Sequence, residues 1–140
     1  MITAGLTNSF KEQLLLGVHD FSTDVLKIAL YTANADLGPT TLVYTSVDEV
    51  SGVAYVATGQ VLTGVTVALS QSLGVAYVSF DNPTWVAATF TTRGALIYNS
   101  SKADKSIAVL NFGLDQTMLS QQFQIQLPTN DPERALIRIS

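Results

Sequence analysis

The sequence predicts an all-β fold, a jelly-roll-like or related β-sandwich with one short N-terminal α-helix. Three observations carry this. Apolar residues recur with period two in several runs of strand length, as in Val25–Tyr31, where Leu26, Ile28 and Leu30 share one face. Clusters of Gly, Pro, Asn, Asp and Ser separate these runs, as they do in sandwiches and barrels. No strand–helix–strand rhythm occurs, which argues against a parallel α/β sheet.

The helix is expected over Asn8–Gly17. Ser9 followed by Glu12 has the spacing of a capping box, and Leu6, Phe10 and Leu14 fall four apart on one face. Gly17 stands where a left-handed residue would end the helix. Leu15 and Leu16 widen its apolar side and predict contact with more than one surface. Beyond Ser22 come the strand candidates. After Val25–Tyr31 they are the alternation Val65, Val67, Leu69, the runs Val75–Phe80, Ala95–Tyr98 and Ile107–Phe112, and the alternation Phe123, Ile125, Leu127 with Gln124 and Gln126 facing the other way. Turns are expected at Leu37-Gly38-Pro39, Ser51-Gly52, Ser70-Gln71-Ser72, Asp81-Asn82-Pro83, Asn99–Lys105 and Pro128–Pro132.

A length of 140 residues suits one domain, with the helix first and the sandwich over 23–139. Neither a flexible linker nor a repeat of 20–50 residues interrupts the pattern. Both ends, Met1–Leu6 and Arg134–Ile139, are rich in apolar residues and are expected to be buried against the sheet or another subunit.

Composition narrows the function. Only 13% of residues are charged, while 28 are Ser or Thr, so the polar faces of the strands are expected to be Thr, Ser, Gln and Asn. A net charge of −4 does not suit a sequence-independent grip on nucleic acid. No apolar run approaches the ~18–20 residues of a membrane-spanning helix. The N-terminus lacks a basic stretch followed by a long apolar one, so no secretory signal is expected. There is no Cys, hence no disulfide, thiolate metal site or Cys nucleophile.

Few residues in the chain suit catalysis or metal binding. His19, next to Asp20, is the lone imidazole that a Ser–His–Asp site could use, and no Gly-x-Ser-x-Gly elbow accompanies it. Asp48 and Glu49 are adjacent and point apart on a strand, while Asp36, Asp81, Asp104 and Asp115 fall in loops, where aspartates stabilise turns. Asn130, Asp131 and Glu133 could touch a calcium ion, but a capped turn explains them. Gly59 and Gly64 have P-loop spacing, yet Val65-Thr66 replaces the lysine and hydroxyl pair. Asn99-Ser100-Ser101 matches a glycosylation sequon. Tyr31, Tyr55, Tyr77 and Tyr98 are expected to bury their rings at the core edge with wet hydroxyls. Trp85 with Asp81, Asn82 and Asn111 could form a sugar-stacking site, although a Trp closing the sandwich is the simpler reading. No residue is assigned a catalytic, cofactor-binding or metal role.

Five runs carry a resemblance. These are the helix Phe10–Leu16 leading through His19-Asp20-Phe21 to Lys27–Tyr31, then Glu49–Tyr55, Arg93–Asn99, Ile107–Gly113 and Phe123–Pro128. Over roughly residues 5–139 the chain resembles small virion proteins of tailed bacteriophages, and is most similar to the capsid decoration, or cement, proteins of short-tailed phages. The resemblance implies a β-sandwich on the outer capsid surface, assembled in the host cytoplasm as a dimer or trimer. It would bind and stabilise the shell of major capsid protein, with no enzymatic activity, no cofactor, and no nucleic-acid or membrane partner. A tail or head-fibre component with a receptor- or glycan-binding role is the alternative.

Overall fold

A computed structural model describes residues 1–140. The elements in chain order are β1 (Gly5–Leu6), α1 (Asn8–Leu15), β2 (Leu26–Tyr31), β3 (Gln60–Val61), β4 (Thr66–Ser70), β5 (Val75–Ser79), β6 (Thr84–Asn99), β7 (Lys105–Gln124) and β8 (Ile137–Ile139). They form two antiparallel sheets, one of order β1-β7-β6-β2-β3 and one of order β4-β5-β8. This is the expected all-β sandwich with a single short helix. No helix is long and apolar enough to cross a membrane.

The helix begins at Asn8, as expected, but its cap is Thr7, two residues before Ser9. Thr7 leaves β1 in an extended conformation, and its hydroxyl accepts from the Phe10 amide at 3.4 Å. Ser9 therefore lies inside the first turn, its hydroxyl 3.5 Å from that of Ser106. Pairing of β1 with β7 sets where the chain can turn into the helix, and that tertiary constraint overrides the Ser9–Glu12 pattern. The other end follows expectation. Gly17 has φ +72°, its amide reaches the Leu14 carbonyl, and the Val18 amide reaches that of Gln13, the two bonds of a Schellman motif. Phe10 is buried, whereas Leu15 and Leu16, expected to pack, project into solvent.

Strand β2 shows why the large sheet is stable. Leu26, Ile28 and Leu30 face the main core, where they meet Phe10 and Phe21, Ala95 and Ile97 of β6, and Val78 and Ile137 of the small sheet. The intervening Ala29 and Tyr31 are buried too, on the opposite face, with Leu96, Tyr98, Val109 and a cover of Ile2, Ala35 and Leu37. The N-terminal arm supplies part of this cover. Ile2 bridges Leu37, the Thr3 amide donates to the Leu37 carbonyl, and β1 completes the sheet edge. The C-terminal stretch likewise completes the chain's own small sheet as β8.

Strands β6 and β7 are much longer than Ala95–Tyr98 and Ile107–Phe112. They form one long hairpin whose ladder is displaced at four places, with Ala87, Gly113 and Ser120 at positive φ. These bulges break the period-two signal, so Thr84–Thr92 and Gly113–Gln122 do not read as strand. In β4 the expected alternation holds, and Val67 and Leu69 share a face that is more than half exposed. Phe123 and Ile125 are buried and Gln124 and Gln126 exposed, as expected.

Ile28→Ala is expected to cost about 2–5 kcal/mol, the range for truncating a fully buried aliphatic side chain. Gln124→Ala, on the outward alternation, should stay within about 0.5 kcal/mol. Urea denaturation of both variants checks this, and equal losses would contradict the two-faced reading of these strands.

Candidate functional site

The single imidazole lies in a polar cluster that joins three elements. His19 follows α1, Asp24 precedes β2, and Asn99 and Lys102 belong to the end of β6 and the turn after it. Asn99 Nδ2 donates to Asp24 Oδ2 at 2.7 Å and lies 3.0 Å from His19 Nδ1. With Nδ1 accepting, His19 Nε2 donates to Gln13 Oε1 at 2.8 Å. Lys102 Nζ sits 2.7 and 2.9 Å from the two Asp24 oxygens, and the Asp20 amide donates to Asp24 at 3.0 Å.

Burial lowers the His19 pKa; Asp24 opposes this and Lys102 and Lys105 add to it. Burial alone would raise the Asp24 carboxyl, but the Asp20 amide, Lys102 and Asn99 outweigh it and hold it at about 2. No buried side-chain polar atom lacks a partner and no hydroxyl addresses the ring, so the cluster has the geometry of a strut rather than a nucleophile–base pair. Asn99 is fully buried in it and presents no amide to a glycosylating enzyme.

A second cluster was not legible in the sequence. Asp48 and Glu49 diverge, Asp48 exposed at φ +60° and Glu49 turned inward. Tyr44 Oη donates to Glu49 Oε1 at 2.5 Å, Tyr55 Oη donates to Oε2, and the Thr58 amide donates to Oε2 at 2.9 Å. Tyr55 Oη also accepts the Leu30 amide at 3.0 Å, and Tyr98 Oη donates to the Thr58 carbonyl at 2.5 Å. Tyr31 Oη donates to the Thr45 carbonyl at 2.6 Å.

These hydroxyls are therefore bonded to protein, not wet as expected, and Tyr77 alone of the four takes no part. Burial first, then the Glu49 carboxylate, pushes the Tyr44 and Tyr55 hydroxyls up, and burial pushes Tyr98 up to about 12. All remain donors at neutral pH. The cluster pins the connection between β2 and β3 onto the sheet. No spacing marks Tyr44 or Thr58 as its members.

The remaining candidates separate. Trp85 is buried against Phe123, ring centroids 5.8 Å apart, and offers no open face to a sugar. Asp81 accepts from Thr63 and Asn82 pairs with Gln126, while Asn111 donates to the Ile2 carbonyl nine residues further along the ladder. Asn130 brackets both backbone polar groups of Phe80, and Asp131 caps the turn at Glu133 and Arg134. Asp115 pairs with Arg93, Asp36 lies 3.9 Å from the N-terminal ammonium, and Asp104 is a positive-φ turn residue. Gly59 and Gly64 need their missing Cβ. One would meet the Ile28 carbonyl at 2.0 Å and the other the Asp81 carboxylate at 2.4 Å. No three of His, Asp and Glu converge as a metal set.

What the fold does present is an unusual surface. Of the 20 exposed strand residues, two are charged, Asp115 and Arg138, and seven are large aliphatics. Roughly a quarter of an average soluble domain is charged. The charges of this chain lie mostly in loops and turns, leaving the strand faces to Thr, Gln, Val and Leu. No family model matches the chain, and neither a curated protein nor a solved structure does.

Both clusters predict measurable effects. Glu49→Ala leaves two tyrosine hydroxyls and an amide without their shared acceptor and should cost about 3 kcal/mol in chemical denaturation. For His19 the folded pKa is depressed, so the unfolded chain binds more protons below 6.5, and stability falls as pH drops through that value. Asp24 adds a second loss as pH falls from 3.8 towards about 2. A Tm series across pH should show both steps, and His19→Gln should remove the upper one.

Proposed function

We propose that this chain is a structural protein of a bacteriophage virion, a decoration or cement protein that binds the outer face of the major-capsid shell as a homo-oligomer and carries out no chemistry. The observation that carries the reading is the nearly uncharged outer strand surface, since charged residues are depleted at the core of permanent interfaces. The resemblance in the helix, Lys27–Tyr31, Glu49–Tyr55 and Arg93–Asn99 supplies the kind of assembly. The polar clusters support it, because His19 and Glu49 are spent on holding loops. A glycan-binding fibre role loses its Trp85 anchor to burial.

An interface of ~1,600 Å² would have a gross apolar term of ~40 kcal/mol at ~25 cal/mol/Å² if wholly apolar. Lost freedom and polar desolvation offset most of that. An oligomer touching several capsid subunits gains from effective concentration, so single contacts can be weak. A shell with basic outer patches would suit an acidic ligand.

Capsids lacking their decoration should pull the purified protein down in co-sedimentation at a fixed ratio to the major capsid protein. Protein left wholly in the supernatant at saturating capsid would sink the proposal.

A further inference from the structure

The two sheets have four edges, and three are blunted. Strands β1 and β3 are two residues long, and β8 is three residues long and carries Arg138. On β7, beyond its pairing with β1, the strand is bulged, and its own side chains occupy edge amides: Asn111 Oδ1 takes the Gly113 amide and Gln121 Oε1 the Leu119 amide. Short length, charge and bulges are the usual means by which a protein keeps a sheet edge from pairing with another chain. Strand β4 has none of them. Thr66-Val67-Ala68-Leu69-Ser70 pairs regularly with β5 on one side, without bulge, charge or Pro, and no backbone or side-chain group of the chain pairs with its other side.

The face of the small sheet continues the theme. Val67, Leu69, Ala76, Val78, Ile137 and Ile139 lie on one side of it by register. Val78 and Ile137 are buried in the core, but Val67 is 58%, Leu69 59% and Ile139 54% exposed. A shallow apolar groove of about 110 Å³ runs along this strip beside Leu14 and Phe21 at the end of the helix. The aliphatic face is thus cut off at the β4 edge without a neighbour to cover it.

We infer that the β4 edge is a homodimer interface, in which β4 of a second copy adds antiparallel across a twofold axis at Ala68 to make one six-stranded sheet. The sequence of the strand is what selects a second copy. In that register Val67 stands opposite Leu69 of the partner and Thr66 opposite Ser70, so each apolar residue meets an apolar one and each hydroxyl a hydroxyl. Such pairs are the favourable ones across antiparallel strands. A twofold interface must be self-complementary in this way. Whichever alternate residues turn their amides outward, the pairing closes about four or more backbone hydrogen bonds. The row Val67–Val78–Ile137 of one copy then runs into Leu69–Ala76–Ile139 of the other as a continuous apolar face. Arg138 is the one charged residue in the three strands, two strands away from the axis, so nothing repels.

The absence of Cys makes the test direct. Residues opposite each other in an antiparallel pair have Cα atoms ~4.5–5.5 Å apart, within the ~4.4–6.8 Å a disulfide spans. Ala68→Cys should therefore cross-link to a covalent dimer under mild oxidation in dilute solution, while Leu114→Cys, on β7 and more exposed than Ala68, should stay a single chain on a non-reducing gel. In parallel, the unmodified protein should sediment at twice its 15.0 kDa mass. Leu69→Lys, with an unchanged circular-dichroism spectrum, should sediment at the single-chain mass, and Leu114→Lys at the dimer mass. Equal cross-linking at both cysteines, a monomeric unmodified protein at its highest soluble concentration, or a Leu69→Lys variant that remains dimeric would overturn the inference. Oligomeric mass and capsid co-sedimentation are separate readouts, so failure here and failure of the virion reading are told apart.

Discussion

Burial of strands β2 and β6 on both faces is the constraint on which the rest of the molecule depends. Leu30 and Ala95 look one way and Tyr31 and Leu96 the other, and none of the four is exposed. A sheet of this kind needs two covers. The first is ordinary, a helix and a small sheet bringing Phe10, Val78 and Ile137. The second is built from the N-terminal arm and a connection with no strand of its own, which brings Ile2, Ala35 and Leu37. Irregular backbone against a core must find partners for its amides and carbonyls. Tyr31, Tyr98 and the Glu49 cluster provide them, reaching out of the sheet with buried rings and bonding the backbone at Thr45 and Thr58.

That arrangement explains where the scarce charges are. Glu49, Asp24, Lys102 and Asp131 hold loops in place, each through two or more hydrogen bonds. Loops thereby become the charged part of the surface and strands the neutral part, the reverse of a sandwich whose outer faces are lined with Lys and Glu. A neutral strand face is a hazard for an isolated molecule, since it resembles the interior of a sheet. For a chain that lives in an assembly it is a surface ready to be covered.

The sequence revealed the class of fold and which residues of these strands face inward, because Leu26-x-Ile28-x-Leu30 and Phe123-x-Ile125 keep an undisturbed period of two. It hid the length of the β6–β7 hairpin, where Ala87, Gly113 and Ser120 each shift the phase. It also misled at Ser9, where pairing of β1 decided the cap. Of the clusters, His19 was visible and its setting was not: Asp24 and Asn99 lie 75 residues apart, a proximity fixed by strand pairing alone. The tyrosines were visible as edge residues, but nothing in their spacing points to a single carboxylate gathering two of them.

The topology has a consequence for the order in which the molecule assembles itself. The hairpin of β6 and β7 closes through a loop of only a few residues, so its entropy cost is small. By contrast, Gly5 pairs with Val109 across 104 positions, and Ala76 pairs with Ile139 across 63. Contacts so distant along the chain are won late, after nearer ones have narrowed the search. Both terminal strands therefore wait on a template formed in the middle, and a chain emerging from the ribosome holds its first helix without a seat until residues beyond 106 have appeared. During that interval Phe10, Leu14, Leu15 and Leu16 are bare together, which makes the N-terminal segment the natural point for a chaperone to grip.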